Sequence, residues 1–82
     1  MSNKEKYDTA FVDTFMINAD ELPTAKYQEV EAWDSVGHMA LMAALEDAFS
    51  IEMEIDDIID FSSYEVGKTI LAKYDVVIEP AA

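Results

Sequence analysis

Residues Trp33-Asp34-Ser35-Val36-Gly37-His38-Met39 mark the point at which a polar connection turns into an amphipathic helix. After Val36 and Met39, the apolar residues Met42, Leu45 and Phe49 recur at helical spacing, with Leu41 beside them and Glu46 and Asp47 on the other side. The spacing predicts a helix over Ser35–Phe49, with Asp34 as its N-cap and as an acidic partner for the N-terminal dipole. Ser35 then stands among backbone N–H groups that lack an intrahelical acceptor, where a phosphate group is stabilised. At the far end, Glu46 and Asp47 break a local rule by placing negative charge in the last turn, and such breaks are enriched at functional sites.

Working outward, Ser2 and Glu5 have capping-box spacing, and Tyr7, Phe11 and Phe15 follow at four-residue intervals with Val12 and Met16 alongside. This predicts a first helix from about Asn3 to Ile17, its aromatic stripe forming core. Residues 18–33 are polar, contain Pro23 and hold neither apolar period, so they read as a long connection anchored by Leu22, Tyr27, Val30 and Trp33. Beyond Phe49, Ile51, Met53 and Ile55 alternate with Glu52 and Glu54 as a strand would, but a lone short strand leaves its backbone groups unpaired. An extended loop is expected there, then a short third helix over Asp56–Phe61. Ser62 and Glu65 open a last helix whose buried face is Val66, Ile70 and Tyr74 with Leu71 nearby, and Gly67 within it costs about 1 kcal/mol relative to alanine. Residues 75–82 are expected to fray. Met39, Met42 and Met53 are read as adaptable core filler. The fold expected is all-α: one domain over residues 1–82, a small antiparallel four-helix bundle of three main helices and one short third helix.

A chain of 82 residues holds one small core, with a net stability of about 4 to 12 kcal/mol. With no cysteine, neither a disulfide framework nor a thiolate metal site supports it. The net charge of -13 is unevenly spread: the span from Tyr27 to Gly67 holds eleven carboxylates and no lysine, whereas the remainder has seven acids and five lysines. Such a surface repels nucleic acid and anionic lipid and attracts basic protein patches. No apolar run is long enough to cross a bilayer and no signal-peptide pattern opens the chain, so a cytoplasmic protein without membrane insertion is expected. The acids of residues 52–60 lack the spacing and central glycine of a calcium loop, and His38 with Asp34 is too small a set for a metal, so no metal site is expected. His38 itself reads as a surface residue.

Asp34-Ser35-Val36 followed by Ala43-Ala44-Leu45-Glu46-Asp47-Ala48-Phe49 resembles the acyl carrier proteins, without a gap from Trp33 to about Phe61 and more loosely over the whole chain. The resemblance implies 4'-phosphopantetheine covalently attached to Ser35, with Asp34 as the flanking motif residue, and no catalysis by the chain itself. It implies as partners a phosphopantetheinyl transferase and acyl- or aminoacyl-loading, acyl-transfer and condensing enzymes, meeting a monomeric carrier at Val36, Ala43, Glu46 and Asp47. Ala40 departs from the acidic residue of many fatty-acid carriers and Trp33 from the small or flexible residue before the aspartate, which favours a specialised stand-alone carrier. Two other classes compete. Ser35 as a hydrolase nucleophile lacks the first glycine of a nucleophile elbow, since Trp33 stands there. An acidic helical adaptor that binds a basic protein, with Ser35 a plain capping residue, is the alternative to a carrier.

Overall fold

The computed structural model describes residues 2–78, and among them the architecture is all-α. Three longer helices, α1 (Asn3–Phe15), α2 (Ser35–Phe49) and α4 (Tyr64–Ala72), are joined by a 3₁₀ segment at Ala19–Thr24 and a short helix, α3 (Ile55–Asp60). A single antiparallel bridge between Lys26 and Ser63 stands in place of any strand, and residues 51–54 form the expected loop. No helix among the described residues is long and apolar enough to cross a membrane.

Helix α1 starts where its sequence dictates, the Ser2 hydroxyl accepting the Glu5 N–H at 3.1 Å. It ends two residues before the expected limit, because Met16 adopts the left-handed conformation (φ 56°) and donates its N–H to the Val12 carbonyl. Met16 is thereby thrown outward, 86% exposed, and is no part of the core. Tyr7, Phe11 and Phe15 are buried as their spacing predicts, and they organise an aromatic core with Trp33, Phe61 and Tyr64. Phe11 meets Tyr7, Trp33 and Tyr64 edge-on at 5.0 to 5.4 Å, and Phe15 stacks on Trp33 at 5.2 Å. Each such pair contributes about 0.5 to 1.5 kcal/mol beyond the area it buries. Leu41, Met42 and Leu45 of α2 close the core against α1, and Leu22, at the heart of the 3₁₀ segment, anchors the long connection as expected.

The expected start of the last helix is corrected, and its expected face only in part: Ile70 and Leu71 are buried, whereas Val66 is exposed and Tyr74 lies half-buried beyond the helix end. Its N-cap is Ser63, whose hydroxyl accepts the Val66 N–H at 3.0 Å, while the Ser62 carbonyl is engaged by the Tyr27 N–H. With the start one residue later, Tyr64, Gly67, Ile70 and Leu71 turn inward and Val66 outward. Gly67 is required there: a Cβ would lie 2.2 Å from both Phe61 Cζ and Tyr7 Oη. Helix α3 is held by Asp57, whose buried carboxylate accepts hydrogen bonds from Lys73 and from the Tyr74 hydroxyl. The two bonds hold that carboxyl below the usual carboxylate range. The described part of the expected frayed tail is instead packed, with Val76 buried and the Val77 carbonyl accepting from the Asn3 amide at 3.0 Å. Residues 79–82 lie outside the described residues.

Candidate functional site

Helix α2 has the predicted bounds, and Asp34 caps it. Asp34 Oδ1 accepts the Gly37 N–H at 2.8 Å, and the Asp34 carbonyl accepts the His38 N–H at 2.7 Å to begin the intrahelical ladder. Capping is therefore the work of the aspartate, and Ser35 has no part in it. Ser35 is exposed at the first helical position, and its hydroxyl makes no hydrogen bond among the described residues. The N–H groups of Ser35 and Val36 have no acceptor among the described residues either, as their place in the first turn dictates. Hydroxyl and donors thus share the positive end of a 15-residue helix with no competing contact.

Gly37 brings this turn tightly against the preceding loop. A Cβ at that position would lie 2.0 Å from the Ala32 carbonyl oxygen and 3.2 Å from Phe15 Cε1. Trp33, wholly buried, fixes the loop from inside.

His38 departs from its expected place as a surface residue. It is half-buried, with Nδ1 accepting the Trp33 indole N–H at 2.9 Å and Nε2 lying 2.7 Å from the Ile58 carbonyl. An indole nitrogen only donates and a carbonyl only accepts, so the ring is the neutral tautomer with its proton on Nε2. The two ring planes are nearly parallel, at 16°. One imidazole therefore ties the loop before Ser35, the first turns of α2 and the carbonyl edge of α3 together. Only the presence of a lone histidine five residues after a lone tryptophan hinted at this, and the third partner comes from 20 residues away.

Of the residues expected to meet partners, Val36, Ala43 and Asp47 are exposed. Glu46 is half-buried, and its carboxylate accepts the Met53 N–H at 2.8 Å. Its breach of the dipole rule thus has a structural cause, since that carboxylate organises the loop after α2. Met42 and Met53 are core, but Met39 is 56% exposed. At about 100° per residue, Met39 falls on the side of α2 away from Leu41 and Leu45. It lines a surface groove of about 350 Å³ with Tyr27, His38, Ile58, Ile59 and Phe61. A scan against protein-family models, a search of curated proteins and a search of solved structures each find no match to this chain.

Proposed function

We propose that this chain is a stand-alone carrier of acyl or aminoacyl groups, its small all-α fold being the antiparallel four-helix bundle of the acyl carrier proteins it resembles. In this reading Ser35 is esterified with 4'-phosphopantetheine by a separate transferase, the serine oxygen displacing the nucleotide portion of coenzyme A from phosphorus. The single observation that carries it is the Ser35 hydroxyl, exposed and unengaged at the head of α2 because Asp34 has taken over the cap. The unpaired N–H groups of Ser35 and Val36 suit a phosphodiester at that position. When bound, the arm supplies a thiol that holds cargo as a thioester and raises its effective concentration at a docked enzyme. The chain contributes position and charge: Asp34 orders the first turn, Trp33 and His38 hold it against α3, and the acids of residues 27–67 draw basic partner surfaces.

The test is intact-mass analysis after incubation with coenzyme A and broad-specificity phosphopantetheinyl transferases. A gain of one phosphopantetheinyl group, absent in Ser35→Ala, is the expected result. Failure of every transferase to modify the folded chain would leave the acidic adaptor as the better reading.

A further inference from the structure

A cargo on a flexible arm rooted at Ser35 has two places to be, in water or among the helices. The gain from leaving water grows with apolar surface, so a long alkyl chain enters any interior that will open to it. The interior next to the root of the arm is already occupied. Trp33, two residues before Ser35, is wholly buried, and five rings surround it at 5.2 to 6.5 Å: Phe11 and Phe15 from α1, Tyr27 from the loop, His38 from α2 and Phe61 from the end of α3. Leu41, Met42, Leu45 and Leu71 of the same core are each at most 1% exposed. At Gly37 and Gly67, on two edges of this cluster, not even a methyl group fits.

The helices are also fastened against parting. The indole N–H is held by His38 Nδ1, so the ring cannot swing aside without leaving that donor unpaired among apolar groups. His38 Nε2 binds the Ile58 carbonyl across the seam of α2 and α3, and Asp57 takes Lys73 and Tyr74 across the seam between α3 and the end of α4. Between α1 and α4, the Tyr7 hydroxyl donates to the Tyr64 carbonyl and the Tyr64 hydroxyl to Asp8. The groove along Met39 and Ile59 offers no equivalent cover, since those side chains are 56% and 71% exposed and a chain lying against them keeps one side in water.

We propose that cargo on this chain rides outside the helices and that Trp33 is the residue that sets this limit, so the cargo class is acyl and aminoacyl groups that are short or polar, with long alkyl chains excluded. The proposal rests on the carrier reading of Ser35.

The test attaches the cargo without a transferase. The chain has no cysteine, so Ser35→Cys supplies a single thiol, and alkylation with bromoacetamides that end in an ethyl or an octyl group on a linker of arm length installs either mimic. Failure here and failure of the mass test of Ser35 are therefore separate results. With Trp33 in place, the octyl and ethyl forms are expected to unfold within about 1 °C of each other, and the methyl NMR signals of Leu41, Leu45 and Leu71 to be the same in both. Trp33→Ala opens a void comparable with the ~150 Å³ cavity that takes up benzene. In that variant the octyl form is expected to unfold about 4 °C or more above the ethyl form, with those methyl signals shifted. Trp33→Leu, a milder truncation, serves the same comparison should Trp33→Ala not fold. An octyl form that, with Trp33 in place, unfolds several degrees above the ethyl form or moves those methyl signals overturns the proposal. So does equal stability of the two forms in a folded Trp33 variant, since the indole would then not be what bars the chain.

Discussion

Replacing His38 by alanine should unfasten the loop, α2 and α3 together, and the cost follows from the two bonds it removes. The Trp33 indole N–H is wholly enclosed and has His38 Nδ1 as its acceptor. Leaving that donor unsatisfied costs about 1 to 3 kcal/mol. Loss of the bond to the Ile58 carbonyl adds about 0.5 to 1.5 kcal/mol, toward the low end because the adjoining groove is open to water. A total of about 1.5 to 3.5 kcal/mol is expected, a large share of the ~4 to 12 kcal/mol available to a chain of this size. Urea unfolding followed by far-UV circular dichroism measures it. The assignment of the loss to the indole bond is checked by a double-mutant cycle with Trp33→Phe, in which the paired variant costs about 1 to 2 kcal/mol less than the sum of the single ones. A His38→Ala cost below about 0.5 kcal/mol, or additive single variants, would show that the imidazole is not the fastening.

Gly67→Ala should destabilise the fold even though alanine favours a helix by about 1 kcal/mol, because crowding Phe61 and Tyr7 costs about 1 to 3 kcal/mol or more. An alanine variant as stable as the parent would contradict the close approach of α4 to α1. Asp57 gives the fold an acid dependence whose sign is fixed by the hydrogen bonds from Lys73 and Tyr74. A carboxyl depressed in the folded state stabilises above its unfolded pKa of about 4 and loses that contribution as pH falls through the folded value. The stability difference between the parent and Asp57→Asn, followed by urea unfolding across pH, should therefore be full near neutrality and shrink in acid. A gap that widens toward low pH would reverse the assignment.

The start of α2 was legible because local chemistry decides it. Asp34 has a side chain of the right length for the Gly37 N–H, and the apolar period begins immediately after. At the start of α4 two adjacent serines compete, and local spacing with Glu65 favours Ser62. The choice falls to Ser63 through pairing with distant backbone, the Tyr27 N–H on the Ser62 carbonyl and the Tyr64 N–H on the Ala25 carbonyl. The same holds for His38, whose role needs Ile58, and for Asp57, whose partners Lys73 and Tyr74 lie in the turn that ends α4. Gly67 reads locally only as a helix penalty, since the rings that exclude a side chain arrive from α1 and from the end of α3. The exposure of Ser35 was legible for the opposite reason, as it follows from one helical turn.

The division of labour between Asp34 and Ser35 separates chemistry from architecture. Because the fold does not lean on the serine oxygen, changing position 35 removes none of the hydrogen bonds that hold the described residues together. A change that removes only this oxygen, such as Ser35→Ala, therefore costs the folded chain no more than about 0.5 kcal/mol, as at other exposed positions.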